Sequence, residues 1–132
     1  MTNITLDRIK DLCNKYNFTM IECNGAGQIV VKFNHKLIRP AWDFLIKIDP
    51  ERIDNGNVSA VQFFYQVNTL FDSYYLEDSP FIEIDTGTWE LIYNMETLEK
   101  CVERIVSFVD GVELTLKKIV MRTKLHEIKK DF

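Results

Sequence analysis

Seven apolar residues near the C-terminus, Leu98, Val102, Ile105, Val109, Val112, Leu116 and Ile119, are spaced alternately by four and three. That spacing draws one stripe along a helix, and the stripe must be covered by something. Asn94 stands where an N-cap belongs, and Glu96 and Glu99 suit the positive end of the helix dipole. Gly111 lies inside the stripe, where glycine costs about 1 kcal/mol relative to alanine. The spacing therefore allows one long helix over 94–130 or two that part at Asp110-Gly111. The basic tail from Lys117 to Lys130 continues an apolar edge through Leu125 and Ile128.

The cover is supplied upstream. Ile9, Leu12, Cys13 and Tyr16 predict a helix over about 5–16, capped by Thr5 or Asn3 and ended by Asn17. Strand-like runs follow at 18–23 and 28–33, separated by Asn24-Gly25-Ala26-Gly27, a hairpin signal because Asn and Gly tolerate positive φ. After Pro40, Trp42, Phe44, Ile46 and Ile48 alternate with more polar residues, which is strand periodicity. Asn55-Gly56-Asn57 marks a loop. Val61, Phe63, Tyr65 and Val67 share one face of a further strand, favoured over a helix by β-branched and aromatic content. Residues 72–80 read as a loop, and 81–85 with 88–93 as a last hairpin around Thr86-Gly87. Strands in succession without intervening helices predict an α+β domain spanning 1–132. It has an N-terminal helix, a meander-like antiparallel sheet of about five to six strands, and one long C-terminal helix, or two, packed on one face.

At 132 residues the chain is one ordinary domain, able to bury roughly two thirds of its unfolded surface. Hydrophobic residues make up 46% and charged residues 27%, which excludes charge-driven disorder. The first residues do not read as a signal peptide, and no apolar run is long enough to span a membrane. Three widely spaced cysteines, Cys13, Cys23 and Cys101, without a CxxC, point to a reducing cytoplasm.

The net charge of −4 hides a segregation. Residues 1–52 carry 8 basic and 6 acidic side chains, and residues 100–132 carry 8 and 5. Between them, residues 53–99 hold nine carboxylates and no Lys or Arg. A generally basic nucleic-acid binder is thereby excluded.

No arrangement carries a catalytic signature. Gly25-Ala26-Gly27 lacks the third glycine and the following helix of a dinucleotide fingerprint. Cys13, Cys23, Cys101, His35 and His126 share no ligand-like spacing, so buried thiols and surface histidines are favoured over zinc or Cys–His catalysis. Trp42 and Trp89 read as core residues. Glu83 and Asp85 on one strand face, with Glu90 across the hairpin, are the one candidate for a divalent cation, but this region has no lysine to accompany it. The loop places Phe71, Tyr74 and Tyr75 beside Asp72, Glu77 and Asp78, a composition common at protein–protein hot spots.

Three functions follow in order of preference. The first is a non-enzymatic inhibitor, of immunity or anti-defence type, that blocks a basic nucleic-acid-binding protein such as a nuclease. Its binding residues would be Asp72, Tyr74, Tyr75, Glu77, Asp78, Glu83, Asp85 and Glu90, with no cofactor, no direct nucleic-acid contact and no membrane. The second is a small acidic dimeric chaperone or adaptor, and the heptad stripe would supply a homodimer contact. The third is a metal-dependent enzyme built on Glu83, Asp85 and Glu90.

Overall fold

The computed structural model describes residues 2–22, 27–38, 44–71, 80–85 and 87–130. A two-residue strand, β1 (Ile4–Thr5), leads directly into helix α1 (Leu6–Tyr16). The Thr5 hydroxyl caps that helix by accepting the Arg8 N–H at 3.2 Å. Asn17 closes it at φ 58, a left-handed conformation that Asn tolerates better than most residues. The predicted first helix is thus present with the predicted ends.

The chain continues through β2 (Phe18–Ile21), β3 (Ile29–Phe33), β4 (Ile46–Ile48), a short 3-10 turn at Pro50–Arg52, β5 (Ile53–Asp54), β6 (Asn57–Val58), β7 (Val61–Phe64), β8 (Val67–Phe71), β9 (Pro80–Ile84) and β10 (Trp89–Ile92). It ends in helix α2 (Met95–Lys130). Five strands form the main antiparallel sheet in the order β10-β7-β4-β3-β2. Directly opposed residues share a face. The pairs Phe18–Phe33, Val31–Ile46, Ile46–Phe63 and Val61–Ile92 therefore lay one apolar row across the sheet. Both helices bury their apolar stripes in the same core cluster as that row. This is the α+β architecture read from the sequence.

Two local features differ from expectation. Asn55-Gly56 is a hairpin turn rather than an open loop: both residues have positive φ, 48 and 80, and they join β5 to β6. This is the two-residue geometry for which Asn-Gly is suited. Conversely, Thr86-Gly87 does not reverse the chain. β10 pairs with β7 and β9 pairs with β8, so both segments run the same way along one long partner. Phe64 opposes Trp89 and Val67 opposes Ile84, so two residues separate the ladders on one strand and four on the other, which is the mismatch of a bulge. Asp85 shapes it: its Oδ1 accepts the Gly87 N–H at 2.8 Å, and its N–H donates to the Gln66 carbonyl at 2.8 Å. The bulge also ends the alternation in the partner. Val61 and Phe63 are buried, yet Tyr65 is 48% exposed. The strands that do pair as antiparallel neighbours in sequence here are β8 and β9.

Helix α2 is continuous over 36 residues, about 54 Å, and passes through Gly111 without a break. Leu98, Val102, Ile105 and Val109, the first four members of the stripe, are buried. At its start the Asn94 side chain accepts the Thr97 N–H at 2.9 Å, and Glu96 accepts the Thr2 N–H at 2.9 Å. That second bond ties the N-terminal segment to the helix. Asn94→Ala is expected to cost about 1 kcal/mol in urea unfolding. A change below about 0.3 kcal/mol would assign the helix start to the Glu96–Thr2 contact instead. Among the described residues no helix is long and apolar enough to cross a membrane.

Candidate functional site

Of the residues singled out by sequence, Asp72, Tyr74, Tyr75, Glu77 and Asp78 lie outside the described residues. The other three do not converge. Glu83 is exposed on β9, opposite Asn68 and between buried Ile82 and Ile84, so it points away from the core. Asp85 is half-buried and turned into its own bulge. Glu90 is exposed on β10 but opposes Phe63, which puts it on the core side at the rim of the sheet. There it sits close enough to Cys101 on α2 to help raise that thiol's pKa. The hairpin that would have gathered the three carboxylates is absent, because β9 pairs with β8 and β10 with β7 instead of with each other.

The sheet edge at β10 has the clearest binding character. β10 pairs with β7 on one side and has no strand partner on the other among the described residues. Trp89 is 47% exposed and Tyr93 is 62% exposed. Trp89 is therefore a surface residue, contrary to the core position its size suggested; it lies on the face away from the core row. An edge strand flanked by large exposed aromatics is a ready docking surface, and Glu90 adds a negative charge to it.

The two described cysteines are poor nucleophiles. Burial pushes the Cys13 thiol up to about 11. Cys101 is raised by burial first and by Glu90 second. Both stay protonated at neutral pH, and a protonated thiol attacks slowly.

One titratable cluster was missed by sequence reasoning. His35, Asp110 and Glu113 bring potential ligand atoms within 4.8 Å of one another. His35 follows β3, whereas the two carboxylates are one helical turn apart on α2, so no local spacing advertised the group. Its wiring decides what it does. The Leu37 N–H donates to His35 Nδ1 at 3.1 Å, which places the proton of the neutral ring on Nε2. Nε2 then donates to Glu113 Oε2 at 3.1 Å. Lys36 and Lys117 hold Glu113 Oε1 at 2.7 and 3.4 Å. A cation ligated by Nε2 would have to displace that proton to Nδ1, against the Leu37 N–H, and compete with two ammonium groups. The arrangement is an ion-pair clamp that pins segment 34–38 to α2. The hydrogen bond to Lys36, more than any other contact, pulls the Glu113 carboxyl down to about 2.

Segment 34–38 in turn anchors β9, since the Ile82 N–H donates to the Leu37 carbonyl at 2.6 Å. On the other flank of α2 a groove of about 510 Å³ opens beside β8. Thr69, Ser107, Phe108, Gly111, Thr115 and Leu116 line it. Comparison of the chain with protein-family models, with curated proteins and with solved structures found no match.

Proposed function

We propose that the protein is a non-enzymatic inhibitor, of immunity or anti-defence type, that binds a basic, nucleic-acid-binding protein through its 53–99 segment. The observation that carries this reading is the composition of that segment. It holds nine carboxylates and no Lys or Arg, and it presents Trp89, Glu90 and Tyr93 at the β10 edge, which has no second strand partner among the described residues. Aromatic anchors rimmed by charge are the usual make-up of a protein–protein hot spot. Asp54, Glu83, Glu96 and Glu99 of the same segment are exposed as well, and Asp54 lines a groove together with Tyr93. A surface of one sign attracts a partner of the other, which speeds association and disfavours wrong partners. The compensation is incomplete but real: Arg104 lies near Cys101 together with Glu90, Arg8 and Lys15 share a shallow groove with Glu99, and Arg52 shares one with Asp54 and Tyr93. The proposed setting is the cytoplasm, with no cofactor and no direct nucleic-acid contact.

The test is affinity capture from the native host, followed by kinetics on the captured protein. Trp89→Ala is expected to weaken binding by at least about tenfold. Glu83→Gln with Glu90→Gln is expected to slow association and to flatten its dependence on salt. An association rate that does not fall as ionic strength rises would refute the electrostatic part of the reading. Unchanged affinity in Trp89→Ala would remove β10 from the interface.

A further inference from the structure

We propose that the β10 edge takes an extended segment of the partner as a further strand of the main sheet, and that this segment carries a Lys or Arg between two apolar residues. Strand addition deepens the proposed function, on which it rests, by specifying how the partner docks. The ladder on the inner side of β10 fixes which backbone groups face outward. The Phe64 N–H donates to the Leu45 carbonyl at 3.0 Å, toward β4. Phe64 and Trp89 are therefore opposed without bonding each other. Bonded and unbonded pairs alternate along an antiparallel ladder, so Glu90 bonds to Phe63, and Trp89 and Leu91 turn their N–H and C=O groups outward. No strand takes up those groups among the described residues. At such an edge an added strand gains affinity from backbone hydrogen bonds and selectivity from alternate side chains.

Little blunts this edge. Proteins guard exposed edges with lysine, proline or a bulge within the strand. Residues 89–92 contain neither Lys nor Pro. The bulge comes before the strand and leaves Trp89 to Ile92 in unbroken register with β7. Exposed Trp89 and half-buried Leu91 share the sheet face away from the core row, and exposed Tyr93 follows them.

The side chains select the occupant. Those of an added strand alternate as the strand beside it does. Residues opposite Trp89 and Leu91 would meet an apolar surface, and the residue between them would lie beside Glu90. Glu90 is exposed and makes no ion pair among the described residues. Opposite charges at directly opposed positions stabilise a strand pair, whereas like charges destabilise it. Glu90 is central between the two outward-facing residues, so the apolar–basic–apolar pattern holds for either direction of the added strand. A second copy of β10 offers Glu90 no cation, because residues 53–99 contain no Lys or Arg.

Amide exchange of the full chain, followed residue by residue with a short capped peptide of alternating Val and Lys, tests the proposal. Exchange at Trp89 and Leu91 is expected to slow at least about tenfold with saturating peptide, and Glu90 to change little because β7 already protects it. A peptide of alternating Val and Glu should leave both amides fast. Glu90→Lys should reverse the preference between the two peptides. Leu91→Pro removes an outward N–H and no ladder bond, so it should abolish the protection while the fold persists. Fast exchange at Trp89 and Leu91 with either peptide overturns the proposal. Equal protection by both peptides overturns its charge selection. Protection that arises in the chain alone and grows with its concentration gives the edge to a second copy and overturns it as well. No protection by the basic peptide, with Trp89→Ala still weakening the captured partner, would overturn strand addition and keep the proposed function. Protection by the basic peptide without a partner whose association depends on salt would support the edge and overturn that function.

Discussion

Phe63→Ala is expected to cost about 3–5 kcal/mol, whereas Tyr65→Ala, two residues along the same chain segment, is expected to stay within about 0.5 kcal/mol. Phe63 sits on β7, the second strand from one edge of the main sheet, with Ile46 and Glu90 directly opposite on its two neighbours. It is 1% exposed and is the largest of the fully buried side chains among the described residues. Removing the ring forfeits its transfer from water and leaves a cavity between sheet and helices that rigid neighbours fill only in part. Domains of this kind are stable by about 5–15 kcal/mol in all, so the loss is a large fraction of the total. Tyr65 is 48% exposed and sits where β7 gives way to the bulge. Urea midpoints of the two variants decide the matter. Comparable losses would mean that Tyr65 packs as Phe63 does and that the bulge does not redirect the strand.

That pair of residues also shows what the sequence could and could not disclose. Val61, Phe63, Tyr65 and Val67 obey period two without a flaw, and nothing in their identities signals an interruption. The interruption comes from the partner, where Asp85 holds the Gly87 N–H and inserts extra residues opposite 65–66. Register between distant segments is a tertiary property, and the Thr-Gly pair that looked like a turn is equally at home in a bulge. Helix α1 was legible to its last residue because Thr5, the apolar spacing and Asn17 are all local signals. Helix α2 was legible apart from its continuity through Gly111, since a single glycine is compatible with either one helix or two. The His35–Glu113 contact was invisible, since it joins positions 78 residues apart. Of the candidate binding residues, Glu83 and Glu90 prove exposed but lie in separate sheets and do not converge; Trp89, which reads as core in the sequence, is exposed at the β10 edge.

Glu113 is expected to make the fold sensitive to acid, and Glu113→Gln to remove that sensitivity. Lys36 and Lys117 bind one carboxylate oxygen and His35 the other, with the Asp110 carboxylate close by. The contacts to the two lysines hold the carboxyl near 2 in the folded chain against an ordinary value of 4.5. The direction of the effect follows from which state binds protons first. Above about 4.5 both states are ionised and the full contribution of the clamp is present. As pH falls below 4.5 the unfolded chain takes up a proton that the folded chain still refuses, so unfolding gains. The contribution is lost by about pH 2, where the folded state protonates too. The stability gap between wild type and Glu113→Gln, from urea midpoints, should therefore be widest above pH 4.5 and close progressively toward pH 2. The same loss should appear locally, because segment 34–38 is what the clamp ties down and β9 leans on it through the Leu37 carbonyl. Amide exchange at Leu37, Ile38 and Ile82 should quicken in Glu113→Gln while the β2–β3 amides keep their protection. A gap that is equally wide at pH 6 and pH 2 would show that Glu113 acts by packing alone. Uniform loss of protection would show that the clamp belongs to the global fold and not to this corner of it.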